Sequence, residues 1–202
     1  MFSSISTTEA ILALCGYATV ALLWIGFAVS PAVRSSLRRG LAPYAVAGAW
    51  IVATACTLGS LYLSEIAHLV PCRLCWYQRI AMYPLVVLLG IAAVRVDLRG
   101  ARRYAIPLAV VGAVISTYHY QLERFPNQPT LSCGLEVPCS VPVVNVWGFA
   151  SVPFMALSGF LLIATLLTIA TPHEDRENGW DEDTNDSSEQ QSDVETPSRV
   201  RA

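Results

Sequence analysis

The chain has 202 residues, 54% of which are hydrophobic, and its mean hydropathy is +0.49. This composition excludes an ordinary soluble domain and gives no reason to expect a nucleic-acid partner. The formal net charge of −2 conceals an uneven distribution of charge along the chain. Ten of the fifteen acidic residues follow Pro172, in a stretch without apolar periodicity. We therefore expect a membrane-embedded body followed by a disordered, solvated acidic tail.

Five hydrophobic blocks are each long enough to cross the bilayer, since a helix of roughly 17–25 residues spans about 30 Å of hydrocarbon. In chain order they are Ala10–Val29, Tyr44–Ser64, Trp76–Val94, Tyr104–Tyr120 and Val146–Ala170. Almost no sequence remains between them from which a water-soluble domain could be built. The pattern predicts an all-α integral membrane protein embedded in the lipid bilayer.

The basic residues, all of them arginine, predict the orientation of these helices. Seven arginines fill the first and third segments between blocks: Arg34, Arg38, Arg39, Arg95, Arg99, Arg102 and Arg103. The positive-inside rule puts both segments in the cytoplasm. The N-terminus and the loops Glu65–Cys75 and Gln121–Asn145 then face outward, and the acidic tail is cytoplasmic. The segment Met1–Glu9 has no positive charge, which favours a retained first helix over a cleaved signal peptide.

The six cysteines are of two kinds. Cys15 and Cys56 lie singly inside apolar blocks, where a free cysteine packs as a small hydrophobe. The other four form two pairs in the two outward loops, on the oxidising side of the membrane where disulfides persist. The first pair, Cys72 and Cys75, directly precedes the third block with the spacing Cys-x-x-Cys. At a helix N-terminus, the free backbone N–H groups and the helix dipole favour a thiolate, the species that attacks disulfides.

Arg79 lies one helical turn beyond Cys75 on the same predicted helix face. One interpretation is an interfacial anchor beside Trp76 and Tyr77. The other is a binding group for the polar head of a membrane ligand. A guanidinium near a reactive thiol could hold a quinone carbonyl and stabilise negative charge as electrons arrive.

The second pair, Cys133 and Cys139, has five residues between its members, including the turn formers Gly134 and Pro138. A short disulfide loop of this kind is either a staple that orders the loop or a docking point for another protein's thiolate. A redox-type Cys-x-x-Cys on the same membrane face favours the second interpretation.

Several motifs then match a known family. The chain contains Cys72-Arg73-Leu74-Cys75-Trp76-Tyr77-Gln78-Arg79-Ile80, followed by Met82-Tyr83-Pro84, Tyr118-His119-Tyr120 and Pro138-Cys139. Together these resemble the DsbB family of disulfide bond formation proteins, and most closely its short-loop, BdbC-like branch, over roughly residues 44–170. The run from Cys72 to Arg79 carries most of the specificity.

The resemblance implies a four-helix transmembrane bundle with redox activity outside the cytoplasm. Such proteins reoxidise a thioredoxin-like, DsbA-like dithiol oxidase and pass the electrons to a membrane quinone of the ubiquinone or menaquinone type, which supports disulfide bond formation. The roles that it implies fall on six residues. Cys72 and Cys75 would be the quinone-linked pair, with Cys75 nearest the ring, Cys133 and Cys139 the pair that exchanges with the partner, and Arg79 and His119 quinone-binding residues.

Three regions follow from the resemblance and the composition. Residues 1–43 are expected to form an extra N-terminal transmembrane helix with a cytoplasmic loop, residues 44–171 the DsbB-like redox core, and residues 172–202 the disordered acidic cytoplasmic tail. The extra helix departs from the four-helix family pattern. The close spacing of Cys133 and Cys139 departs from the longer-looped branch and leaves the order of exchange between the two pairs open.

Two other functions remain as alternatives. A quinone reductase like vitamin K epoxide reductase also pairs an outer Cys-x-x-Cys with a quinone, although the Trp-Tyr-Gln-Arg run after Cys75 favours the DsbB-like interpretation. The four paired cysteines, with His68 nearby, could also hold zinc in a membrane protein. The oxidising side of the membrane disfavours four standing thiolates, so we expect no metal.

Overall fold

The computed structural model describes residues 2–95, 97–127 and 139–170, with side chains described from Ile5 onward. Five helices are long and apolar enough to cross a membrane. They are α1 (Phe2–Val29), α2 (Pro31–Leu61), α3 (Arg73–Arg95), α4 (Leu98–Arg124) and α5 (Val152–Ile169), and a π-helical turn, Tyr62–Ile66, continues α2. The predicted all-α membrane fold with five spanning helices is confirmed.

Four of the helices form a closed ring. Helix α2 packs against α3, α3 against α4, α4 against α5, and α5 returns to α2, while the diagonal pairs barely touch. Small buried residues on α2 and α4, among them Ala49, Ala53, Ala105 and Ala109, let the helices approach closely around Phe160, whose ring is fully buried. Helix α1 lies outside this ring and packs against α5 and α2.

The arginine-rich segments are helical, where the sequence led us to expect loops. Helix α2 starts at Pro31, directly after Ser30, so that Arg34 lies in its first turns and not in a connection. Proline is favoured in the first helical turn and arginine is a good helix former, which explains the early start. Helix α4 likewise starts at Leu98, before the predicted Tyr104, because Asp97 caps it by accepting a hydrogen bond from the Gly100 N–H at 2.8 Å.

The last helix, in contrast, starts later than the predicted Val146. A tight turn precedes it, in which Val146 and Ala150 form an isolated antiparallel bridge. Trp147 and Gly148 both have positive φ angles in this turn, 53° and 77°, which a helix does not accommodate. Helix α5 therefore starts at Val152, with Pro153 in its first turn.

The alternating helix directions separate the two ends of the bundle. The cysteine pair that precedes α3 lies at the end where α2 and α4 finish and α5 starts. The arginine-bearing ends of α2, α3 and α4 lie at the opposite end, where Arg102 donates a hydrogen bond to the Ala170 carbonyl oxygen at 3.4 Å. The predicted tail, residues 172–202, and Cys133 in the predicted second pair lie outside the described residues.

Candidate active site

The Cys-x-x-Cys pair lies at the N-terminus of α3, as the sequence predicts. The backbone N–H of Trp76 donates to the Cys72 carbonyl oxygen at 3.2 Å, so Cys72 occupies the capping position immediately before the helix. The two Sγ atoms are 2.9 Å apart, and both cysteines are free thiols. A disulfide of about 2.05 Å needs only a small further approach of these atoms. The pair is therefore positioned to cycle between dithiol and disulfide.

The Cys72 thiol is buried among hydrogen-bonding groups. Its sulfur accepts a hydrogen bond from the backbone N–H of Cys75 at 3.3 Å, lies 2.9 Å from Cys75 Sγ and lies 3.6 Å from His119 Nε2. The hydrogen bond between the two thiols and the hydrogen bond and charge of His119 hold the pKa of the Cys72 thiol well below its usual range, although burial opposes them. Cys72 is therefore the thiolate of the pair.

Cys72 also belongs to a buried cluster that includes a cysteine from the second predicted pair. Its buried members are Cys72, Leu74, Leu122 and Cys139, and Cys75 packs against them. Cys139 is disulfide-bonded and almost fully buried. Its predicted partner, Cys133, lies outside the described residues. The structure thus brings Cys139, 64 residues further along the chain than Cys75, to the thiolate side of the first pair.

Cys75, but not Cys72, also lines a cavity of about 460 Å³. The cavity walls come from α1, α2, α3, α5 and the segments that join them, and most of the side chains on them are apolar. Arg79 and Tyr83 follow Cys75 along the α3 wall. The buried Tyr83 hydroxyl has no hydrogen-bond partner among the described residues. Thiol, guanidinium and hydroxyl thus share one largely apolar chamber.

Arg79 is fixed by α2. Its Nε donates to Ser60 Oγ and its Nη2 to the Ser60 carbonyl oxygen, both at 2.9 Å. Its guanidinium carbon also lies 5.3 Å from the centroid of the Trp76 ring. Sequence reasoning identified Arg79 but missed Ser60, whose only signal is a hydroxyl within an apolar block. The guanidinium is pre-oriented on the cavity wall before any ligand is bound.

His119, which the resemblance implies as a quinone-binding residue, contacts the thiol pair. Helix α4 contributes none of the residues that line the cavity beside Cys75. His119 faces Cys72 from a buried position, and Gln78 and Ser116 are joined by a 3.0 Å hydrogen bond in the same helix pair. The quinone-binding role of His119 stays a prediction.

The same residues bear on the zinc alternative. The ligand atoms of Cys72, Cys75 and His119 lie within 4.8 Å of one another, as in a three-ligand metal site. Cys139 provides no thiolate because it is disulfide-bonded, and His68 is exposed in the loop before the pair. The four-cysteine zinc site is thus not formed by the described residues.

Because His119 lowers the pKa of Cys72, we expect the thiolate to persist into mildly acidic solution. A thiol with a lowered pKa is deprotonated, and hence reactive, at every pH above that value. His119→Ala should raise the pKa of Cys72 and shift its alkylation profile to higher pH, so that below the new pKa alkylation is about tenfold slower for each unit by which the pKa rises. Alkylation of the reduced protein, followed by peptide mass spectrometry across pH, measures this effect. His68→Ala is the control, and an equal slowing in both variants would contradict the assignment.

Comparison with known proteins agrees with this geometry. The family model for disulfide bond formation protein DsbB matches residues 42–170. Disulfide bond formation protein C of Bacillus subtilis (strain 168) is 46% identical over 121 residues, which cover 59% of this chain and 87% of that protein. Probable disulfide formation protein C 1 of Bacillus cereus (strain ATCC 10987 / NRS 248) is 49% identical over 123 residues, 60% of this chain and 87% of the relative.

A more distant source gives a similar match. A probable disulfide formation protein of Coxiella burnetii (strain Dugway 5J108-111) is 43% identical over 134 residues, which cover 65% of this chain and 90% of that protein. No solved structure matches the chain. The resemblance found in the sequence is confirmed, and the matched residues contain the Cys-x-x-Cys pair, Arg79, α2 from residue 42 onward, and α3 to α5. The chain therefore belongs to the DsbB family and is a multi-pass membrane thiol–disulfide oxidoreductase of the disulfide bond formation proteins.

Proposed function

We propose that this protein reoxidises a thioredoxin-like dithiol oxidase outside the cytoplasm and passes the electrons to a membrane quinone held in the cavity beside Cys75. The supporting observation is that the adjacent thiols have different surroundings. Cys72 is buried in the cluster with Cys139 and contacts His119, whereas Cys75, which packs against the same cluster, also lines the cavity with Arg79. A dithiol placed in this way can accept electrons from Cys139 and deliver them into the cavity.

The cavity fits a quinone head group. Its volume of about 460 Å³ lies within the roughly 300–1,000 Å³ of small-molecule sites, and its walls are largely apolar. A quinone ring needs hydrogen-bond donors for its carbonyl oxygens. Arg79 still has Nη1 without a partner among the described residues, and the Tyr83 hydroxyl is buried and unpaired. Arg79 would hold one carbonyl and Tyr83 is a candidate for the other.

Electrons pass from the partner dithiol to the two cysteine pairs by successive thiol–disulfide exchanges. The thiolate of a reduced partner attacks the proposed Cys133–Cys139 disulfide, and the partner leaves with its own disulfide formed. One thiolate of the reduced loop pair attacks Cys72 Sγ, and Cys75 departs as a thiolate. The other loop thiolate then re-forms the loop disulfide and releases the Cys72 thiolate, which His119 and the helix N-terminus stabilise. On reoxidation, the Cys72 and Cys75 thiols lose two electrons and two protons and become a disulfide again. A bound quinone supplies the acceptor for both electrons and both protons.

We also propose that the cysteine end of the bundle faces the outside of the cell. The arginines at the opposite end support this orientation by the positive-inside rule. The oxidising outer face is also where the disulfide of Cys139 would persist. The acidic tail would then be cytoplasmic.

The test is quinone reduction by the purified, full-length protein in detergent. A reduced thioredoxin-like donor is added with either a ubiquinone or a menaquinone analogue, and the acceptor's absorbance is followed together with the donor's thiol content. We expect one quinone reduced per donor dithiol oxidised. Absence of turnover with both quinone types would refute the proposal. Zinc bound to the purified protein in a one-to-one ratio would instead favour a metal site at Cys72, Cys75 and His119.

A further inference from the structure

Helix α1 lies outside the part of the chain that matches the family, yet it forms a wall of the cavity. The family match starts at residue 42, and α1 ends at Val29. Six of its residues line the chamber: Glu9, Leu12, Ala13, Cys15, Gly16 and Thr19. Most are spaced by three or four positions, so they form one stripe along the helix. One face of α1 is thus directed at the site beside Cys75.

The contacts of α1 with α5 hold this face in place. The Tyr17 hydroxyl donates to the Phe154 carbonyl oxygen at 3.0 Å, and the two rings are 4.8 Å apart. Further along, the Trp24 indole N–H donates to Thr165 Oγ1 at 3.2 Å. These contacts lie at the middle of α1 and near its C-terminal end. They dock the C-terminal half of the helix on α5.

Glu9 is the exceptional residue on this face. It is the only carboxylate among the described residues that line the cavity, and Arg79 is the only other charged one. Its carboxyl lies against Gly59 of α2, where an added Cβ would come within 2.9 Å of Glu9 Oε1. The next residue, Ser60, is the one that holds Arg79. Glu9 and Arg79 thus meet α2 at adjacent residues.

The proposed reduction of a quinone beside Cys75 requires a proton donor, and a carboxylic acid in the cavity could serve as one. Ionisable residues within membrane-spanning helices are rare and usually face a cavity on a proton or ion path. Reduction of a quinone to a quinol takes up two protons as well as two electrons, and the largely apolar chamber offers few groups that can supply a proton. A carboxylic acid can donate a proton and be reprotonated within each cycle.

We infer that α1 is a structural part of the quinone site and that Glu9, on its cavity-lining face, donates a proton to the quinone as the Cys72–Cys75 dithiol is oxidised. This inference rests on the proposed function. Electrons and protons balance over one cycle. The dithiol gives up two electrons and two protons, the quinol gains both, and the Glu9 carboxylate left after donation regains a proton released by the dithiol.

Glu9→Gln tests the donation because glutamine has nearly the same shape but no acidic proton. We expect the rate of quinone reduction by the pre-reduced protein to fall about a hundredfold, within the range for loss of a general acid. Glu9→Asp should restore most of it. Disulfide exchange with the donor in the absence of quinone should stay unchanged, since Glu9 takes no part in the exchange steps. Glu65→Gln, which changes an exposed carboxyl in the π-helical turn, is the matched control.

The pH profile separates donation from a purely structural effect. In the wild type the rate should fall as pH rises and Glu9 loses its proton, and in Glu9→Gln this dependence should disappear. Other titratable or charged groups around the chamber are Cys15 on α1, Cys56 on α2, and Cys75, Arg79 and Tyr83 on α3, and among its described residues α5 adds none. These groups remain in both proteins, so the difference between the two profiles reports Glu9.

Labelling of Cys15 tests, without any turnover, whether α1 forms part of the quinone site. In the oxidised protein an apolar maleimide can reach Cys15, which is exposed on the cavity-lining face. A redox-inert quinone analogue should protect it at least severalfold, as measured on the Cys15 peptide by mass spectrometry. Two results would overturn the inference in a preparation whose wild type reduces quinone. One is equal labelling of Cys15 with and without the analogue, and the other is a Glu9→Gln protein with wild-type rates across pH. A wild type without quinone reduction would instead refute the proposed function.

Discussion

Cys75→Ser will stop quinone reduction and leave Cys72 trapped in a disulfide with the second cysteine pair. Cys75 is the thiol on the cavity wall, whereas Cys72 packs in the buried cluster with Cys139. Serine keeps the shape of the site but cannot form a disulfide, so no electron pair can reach the acceptor. We expect turnover to fall by at least about a thousandfold, as for the loss of an essential nucleophile. Quinone reduction with a dithiol donor measures the loss.

The trapped species distinguishes the two thiols. In Cys75→Ser, Cys72 has lost its partner for an intramolecular disulfide, so a mixed disulfide with the second pair is the disulfide still open to it, and non-reducing peptide mapping should find it joined to Cys133 or Cys139. Cys72→Ser should abolish turnover equally but give little of this cross-linked species. Retained turnover in Cys75→Ser, or equal trapping by both variants, would contradict the division of labour between the two thiols.

Arg79→Met will weaken quinone use without affecting disulfide exchange. The guanidinium is fixed by Ser60 on the cavity wall and is the only cation among the described residues there. Methionine retains an unbranched chain but removes the donors and the charge. Loss of one pre-oriented donor to a developing oxyanion costs about a hundredfold or more in rate. We expect kcat/KM for the quinone to fall by about that factor, while thiol exchange with the donor stays at the wild-type rate.

Two further variants test whether the effect depends on the position of the charge and on the hydrogen bonds that fix Arg79. Arg73→Met removes an exposed arginine from the first turn of the same helix and should leave quinone kinetics unchanged. Ser60→Ala removes one of the two bonds that fix Arg79 but leaves the carbonyl oxygen, so a smaller loss is expected. If Arg73→Met matched Arg79→Met, the effect would be one of surface charge and not of the cavity.

The sequence was sufficient for the features that depend on local spacing and composition. Hydrophobic length identified five spanning helices, and the Cys-x-x-Cys spacing before an apolar block located the thiols at a helix start. The single turn between Cys75 and Arg79 put both on one helix face, and both line the cavity. These inferences hold because an isolated helix already has the geometry they need.

Features that depend on how helices pack could not be read in this way. The contact of His119 with Cys72 depends on which side of α3 meets α4. The Ser60 bonds to Arg79 and the approach of Glu9 to Gly59 join residues 19 and 50 positions apart, with no motif to link them. The cavity exists only because α1 docks on α2 and α5, and an apolar block of ordinary composition does not reveal its neighbours.

The confinement of the chemistry to one end of the bundle has a consequence for bioenergetics. Cys72, Cys75, Arg79 and Glu9 all lie at the end where α3 starts, far from the arginine-bearing end. Electrons and protons that move among them travel within one leaflet and transfer no charge across the bilayer. A membrane potential is worth about 2.3 kcal/mol for each charge moved across 100 mV. The proposed reaction would therefore be electrically silent, and its rate in sealed vesicles should not depend on the membrane potential.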